Sequence, residues 1–335
     1  MTLAPALAAE DRALGAFRLT TAITLVATFV LVVIGGIVRV SDSGLGCGPA
    51  GSGTHGWPLC EGGLVPAASA ASVVEYSHRI AAAVVTVLIG LLIWQALRRL
   101  RDQRRLVAGS VVAGVLVLVQ AGLGGLTVEH GLEELLVAAH LALAMVLLGL
   151  LLLLRRWSTT APLPAPRRRS VLGALTALAA ALVLVTVTTG GWVAGTEGHG
   201  TPDQPVAGQA HVACGTGWST RAFPGCIGRF PGFGQSRLAD IQLVHRSAMY
   251  LAAAAVLAMA AAAMVVGAAS PAFALAAFLL LAQVALGALN VWLGKHAGLI
   301  VGHLALGTLL WMVVVQAGAS LLPGVRGGPA ASSAG

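Results

Sequence analysis

Apolar residues in this chain fall in unbroken runs about twenty residues long, neither alternating nor confined to narrow helical stripes. The runs cover roughly 18–39, 73–96, 106–127, 134–154, 171–193, 241–266, 272–292 and 298–321. At 1.5 Å per residue, each can cross a hydrocarbon layer of about 30 Å as a helix. The pattern therefore predicts eight transmembrane helices. Strands of a membrane barrel would be about half as long and would alternate in polarity, which excludes that fold. The first run follows the polar stretch Glu10, Asp11, Arg12, and no small-residue cleavage site follows a short apolar core. A retained helix is expected there, not a cleaved leader.

Composition agrees. Hydrophobic residues make up 57% of the 335 and charged residues 10%, with a mean hydropathy of +0.89. A soluble fold carries about 25% charged residues, so this chain could not cover a water-exposed surface. The net charge of +8 sits in short clusters between apolar runs. That distribution excludes disorder, a coiled coil and a nucleic-acid partner, and leaves an all-α polytopic protein whose surroundings are the lipid bilayer.

The arginines orient it. Thirteen of the twenty basic residues lie in the N-terminal stretch (Arg12, Arg18), the links 97–105 and 155–170, and the tail (Arg326), with only three acids, Glu10, Asp11 and Asp102. The positive-inside rule then predicts cytoplasmic termini. The long connections 40–72 and 194–240 face outward, and each holds two of the four cysteines: Cys47 and Cys60, then Cys214 and Cys226. Thiols outside the cytoplasm oxidise readily, so one disulfide per loop is the simplest pairing. Closing such a loop contributes roughly 3 kcal/mol in the chain-entropy model. Two structural staples, or one pair exchanging electrons during turnover, both fit this placement; there is no Cys-x-x-Cys motif.

The chain is also written twice. Gln120-Ala-Gly-Leu-Gly-Gly-Leu-Thr-Val128 aligns with Gln283-Val-Ala-Leu-Gly-Ala-Leu-Asn-Val291 at five of nine positions. His140-Leu-Ala-Leu143 recurs as His303-Leu-Ala-Leu306, His78-Arg79 as His245-Arg246, and Gly35-Gly36 as Gly190-Gly191. Two four-helix units, 18–157 and 171–322, are expected on either side of the Pro/Arg-rich link 158–170. With an even number of helices per unit, both copies run the same way, as parallel repeats about an axis along the membrane normal.

Five of the nine histidines (His55, His130, His199, His211, His296) fall in outer loops or at helix mouths. The other four, His78, His140, His245 and His303, lie one each in the second, fourth, sixth and eighth runs, five to seven residues in. That is about 8–10 Å below the outer surface. Ionisable residues inside a membrane are costly and mostly functional. Two facing neutral imidazoles without a zinc pattern suit axial ligation of heme iron. Small neighbours (Ala81–Ala83, Ala138–Ala139, Gly302, Ala305) leave room for a flat macrocycle, and Arg79 and Arg246 could approach its propionates or snorkel to headgroups. One asymmetry stands out. Glu75 precedes His78 by three residues, whereas Gln242 holds that place before His245. Residues three apart share a helix face, so chemistry is expected in the first unit and a permanent cofactor in the second.

Assembled in this order, these residues resemble the heme A synthase family over nearly the whole chain. Gly35-Gly-Ile-Val-Arg39, Ser43-Gly-Leu45, Trp57-Pro58 and Cys60 are similar to its signature after the first helix, and Glu75-Tyr-Ser-His-Arg79 to its carboxylate–histidine motif. The Gly/Ser-rich stretch Gly48–Gly56 lengthens the first cysteine interval beyond that pattern. The resemblance implies heme O as substrate on His78 and His140, heme b as cofactor on His245 and His303, and oxidation of a heme O methyl group to a formyl group. It assigns assisting roles to Glu75, Cys47 and Cys60. It further implies a cell-membrane location and service to terminal oxidases. The partners it implies are the farnesyltransferase that makes heme O, oxidase assembly factors and a second copy of the chain. A bis-histidine b-type cytochrome carrying electrons, for example from quinol, would need the same four histidines but has no use for the Glu75/Gln242 difference. A transporter and a thiol-oxidising membrane protein are more distant alternatives.

Overall fold

The computed structural model describes residues 3–66, 68–159, 166–196, 209–229, 232–267, 270–294 and 296–324. His199 and Arg326 lie outside the described residues, as does 160–165 of the link. Among the described residues there are eight α-helices long and apolar enough to cross a membrane, and no strand. They are α1 (Leu3–Val40), α2 (Ala70–Arg99), α3 (Arg104–Glu129), α4 (Glu134–Trp157), α5 (Pro166–Gly195), α6 (Arg237–Val265), α7 (Pro271–Trp292) and α8 (Ala297–Ser320). The chain is an all-α, multi-pass membrane protein.

Every predicted span contains one helix, but the ends differ. α1 begins well before residue 18, because Ala13, Leu14 and Phe17 are buried in the helix core and keep the polar Glu10–Arg12 stretch in the same helix. Gln103, in the link between α2 and α3, donates to the Glu10 carboxylate at 2.8 Å. The link 158–170 is likewise part helix, since α5 starts at Pro166. Other starts follow local chemistry. Ser69 and Ser236 cap α2 and α6, accepting from the amides of Ser72 at 3.1 Å and Ala239 at 3.2 Å, and Pro271 opens α7, where a missing N–H costs nothing. Buried threonines of α1 return their hydroxyls to the carbonyl four residues back, Thr21 to Phe17 at 2.7 Å and Thr28 to Thr24 at 2.7 Å. No polar group in that stretch needs lipid as a partner.

Packing runs in two circuits. α1 packs on α2, α2 on α3, α3 on α4 and α4 back on α1; the same circuit runs from α5 to α8. α4 meets α5 and α8, and α1 meets α8. Small residues allow the close approaches. A Cβ on Gly36 would lie 2.6 Å from Leu304 Cδ2, and one on Gly191 3.2 Å from Ala138 Cα. Trp311 of α8 donates to the Met145 carbonyl of α4 at 2.9 Å, and Arg39 reaches the Ala194 carbonyl at 2.9 Å. Each cysteine-bearing connection closes on itself, Cys47 to Cys60 and Cys214 to Cys226.

The first loop is seated on α2 through Gly46. Ser72 Oγ donates to its carbonyl at 2.7 Å, and a Cβ there would stand 2.4 Å from the Ala71 backbone. Backbone cannot rotate away as a side chain can. Gly46→Ala should therefore lower stability by about 1–3 kcal/mol, read as a lower melting temperature in detergent. Gly90→Ala, with nothing within 4 Å, should not lower it. Equal melting of the two variants would refute this seating.

Candidate functional site

Each of the four membrane histidines lies in an even-numbered helix, eight residues after the start of α2 and α6 and six after the start of α4 and α8. The helices start earlier than the apolar runs, so the depth is about 9–12 Å. Every ring lies against a glycine of the preceding helix. A Cβ on Gly35, Gly124, Gly190 or Gly287 would stand 3.1, 3.2, 3.1 or 2.9 Å from Cε1 of His78, His140, His245 and His303 respectively. Four odd helices thus give up a side chain where an even helix presents an imidazole.

The four histidines approach one another as two pairs. His140 is within electrostatic reach of His78, and His303 of His245. The backbone carbonyl of His140 accepts from Gln120 Nε2 at 2.8 Å, and that of His303 from Gln283 Nε2 at 3.0 Å. His245 Nδ1 lies 3.0 Å from the Thr186 carbonyl. A carbonyl only accepts, so Nδ1 carries the proton and Nε2 keeps its lone pair. His78 Nδ1 points toward the equivalent Leu31 carbonyl without closing a hydrogen bond. Nδ1 of His78, His140 and His303 is buried without a partner.

This donor set fits heme. Among the described residues no three His, Cys, Asp or Glu side chains gather as a metal cluster. The helix histidines approach as His78 with His140 and His245 with His303, and two is the number of axial positions a planar macrocycle leaves open. The Nδ1–H···O=C arrangement at His245 is the usual support for a ligating Nε2.

Above the first pair, Glu75 is buried at 4% exposure. One of its carboxylate oxygens accepts from the Cys47 amide at 2.8 Å, and the other is ion-paired with Arg79. Arg79 also donates to the carbonyls of Gly56 at 2.6 Å and Leu59 at 2.7 Å. Carboxylate and guanidinium together tie the disulfide loop to α2, so the acid, arginine and cysteine of this stretch are one connected cluster. Above the second pair, Arg246 does not snorkel: it is 3% exposed and donates to the carbonyls of Ala222, at 2.7 Å, and Gly225. Its Nη2 and the Gln242 Oε1 are buried without partners.

Sequence reasoning passed over several neighbours. Gln120, Gln283, Gly124 and Gly287 all lie in the repeated nonapeptide, so the repeat itself was their signal. His211, placed only in an outer loop, sits in a short 3-10 turn, Ala210–Val212, within electrostatic reach of both His245 and His303. Nothing local marks it, because a loop fold brings it there. His55, His130 and His296 stay at the helix mouths or in the loop; His130 Nδ1 lies 3.0 Å from the Leu126 carbonyl.

A family model described as cytochrome oxidase assembly protein, COX15-CtaA, matches residues 18–315. The chain belongs to this family. The heme A synthase of Bacillus pumilus is 34% identical over 143 residues, 42% of this chain and 44% of that protein. That of Bacillus licheniformis is 31% identical over 135 residues, 39% of this chain and 42% of its own. The heme A synthase of Shouchella clausii is 27% identical over 237 residues, 68% of this chain and 70% of that protein. The matches to the two Bacillus proteins thus span less than half of each relative's length.

The Glu75 contacts generate a prediction for this COX15-CtaA member. Glu75→Ala leaves the buried Cys47 amide without an acceptor, which costs roughly 1–3 kcal/mol; Glu75→Gln keeps an acceptor and should cost less. Reductant followed by mass-spectrometric alkylation mapping should open Cys47–Cys60 faster in Glu75→Ala than in the parent, with Cys214–Cys226 unchanged. Identical reduction of the first disulfide in both proteins would contradict the tie.

Proposed function

We propose that this chain is a heme A synthase of the cell membrane. It holds heme O in an N-terminal unit, α1–α4, between His78 and His140, and oxidises a methyl group of that substrate to a formyl group. A C-terminal unit, α5–α8, built as a parallel repeat of the first, holds heme b between His245 and His303. The termini are cytoplasmic and the disulfide loops lie outside. The observation that carries this is the duplicated pair of membrane-buried imidazoles, each ring seated on a glycine, with a carboxylate cluster over one pair only.

Chemistry belongs in the unit with the acid. Converting a methyl to a formyl group removes protons as well as electrons, and a carboxylate takes protons where an amide does not. Glu75, one helical turn before His78, supplies that acceptor; Gln242 leaves the second unit without one. Arg79 holds Glu75 and the carbonyls of the covering loop together, so proton acceptor and loop are positioned as one piece, with Cys47–Cys60 as its staple. When bound, heme b supplies one-electron transfer. Arg246, with one nitrogen still unpartnered, offers a propionate a cationic donor, and Gly190 and Gly287 keep both rings of the second pair in place.

Purified protein from heme-replete cells should yield heme b together with heme O or heme A on extraction, and should turn supplied heme O into a formyl-heme spectrum. Unchanged heme O under turnover removes the proposal. Substituting His245 or His303 by Ala should deplete heme b, while His78→Ala and His140→Ala deplete the substrate heme. Glu75→Gln should retain both hemes and slow conversion about 10²- to 10⁴-fold, the usual contribution of a positioned acid or base. Full activity would refute its role.

A further inference from the structure

An oxidation requires a destination for its electrons, and the second half of the chain opens to lipid beside its histidine pair. A cleft of about 650 Å³ runs between α6 and α7 beneath the second outer loop. Small-molecule pockets are typically about 300–1,000 Å³. Its deep end is lined by Leu257 and Leu281, which are 45% and 62% exposed, so the cleft opens sideways into the hydrocarbon layer. From Leu281 to Trp292 the α7 wall rises about 16 Å.

The outer end is aromatic. Trp218 of the loop stacks on Trp292 with ring centroids 4.8 Å apart, and Phe223 meets Trp292 edge-on at 6.0 Å. Tryptophans at a membrane interface ordinarily keep their polar edge at the headgroup level. Nε1 of Trp292 is instead buried and has no hydrogen-bond partner. The cleft thus joins a long hydrocarbon slot to a flat aromatic mouth, with the Trp292 N–H covered beside it.

Its place completes the argument. Met249, in the cleft wall, stands one turn after His245, and Ala288 adjoins Gly287, the seat of the His303 ring. α6 packs on α5 and α7, and α7 on α8, within the second circuit of helices. The farnesyl tail of a substrate held by His78 and His140 belongs to the other half.

We infer that this cleft binds an isoprenoid quinone, which serves as electron acceptor for the oxidation. The tail lies along Leu257 and Leu281, and the ring stacks against the aromatic mouth formed by Trp218, Phe223 and Trp292. The inference rests on the proposed function. With oxygen entering from water, R–CH3 + H2O gives R–CHO with release of four electrons and four protons, and these reduce two quinones to two quinols.

The test uses the full chain in quinone-free phosphatidylcholine nanodiscs, with decylubiquinone titrated against intrinsic tryptophan fluorescence. Wild type should show saturable quenching. Ala285→Phe, which fills the cleft from its exposed edge, should weaken it at least about tenfold with heme content unchanged, and Trp292→Phe should weaken it too. Non-saturable quenching, or the same affinity in Ala285→Phe, overturns the site; so does equal protection by n-decanol, which would mark it as a lipid acyl slot. Conversion of heme O is then followed with ferricyanide or decylubiquinone as acceptor. Turnover with ferricyanide but neither binding nor turnover with decylubiquinone sinks the inference and spares the proposed function. Binding of decylubiquinone without turnover by either acceptor refutes the proposed function and, with it, the acceptor role.

Discussion

An imidazole inside a membrane helix bundle must have both nitrogens accounted for, because lipid offers neither donor nor acceptor. At His245 one nitrogen donates its N–H to the Thr186 carbonyl, which leaves the other with a lone pair that can accept a hydrogen bond or ligate a metal. The rest of the architecture follows from keeping four such rings in place. The odd helices carry glycine where the rings lie, so that neighbouring backbones can close on them. Gln120 and Gln283 occupy the carbonyls of His140 and His303 and brace the backbone from which the two rings project.

The two halves surround their histidines differently. In the first, an acid and an arginine fasten the disulfide loop down onto α2, joining Cys47, Glu75 and Arg79. In the second, Arg246 binds the loop carbonyls, and the amide that replaces the acid leaves its oxygen unpartnered. A site built to move protons and a site built to keep a cofactor would differ in this way. The close contacts of α1 with α8 and of α4 with α5 and α8 hold the halves side by side, with both histidine pairs near the same face of the membrane.

Helix number and type were plain in the sequence because a twenty-residue apolar run has few other folds open to it. Helix ends were not. α1 extends through Glu10–Arg12 because Leu14 and Phe17 pack inward, a tertiary effect invisible to a hydropathy pattern. The four histidines stood out through duplication and common depth. Their glycine seats lay in plain view as repeated motifs, yet nothing in one dimension says which glycine meets which ring. Arg79 and Arg246 invited assignment to propionates or headgroups, but loop carbonyls within reach after folding claim most of their donors. His211 was lost for the same reason: a loop carries it to the second pair, and loop paths leave no periodic trace.

The central claim is that each half clamps one iron porphyrin between two imidazoles. Low-temperature electron paramagnetic resonance with near-infrared magnetic circular dichroism on the fully loaded, oxidised protein tests it directly. Two low-spin ferric signals with bis-imidazole charge-transfer bands are expected, one lost on substituting His78 or His140 and the other on substituting His245 or His303. A single signal, or one whose ligation survives all four substitutions, would contradict the account.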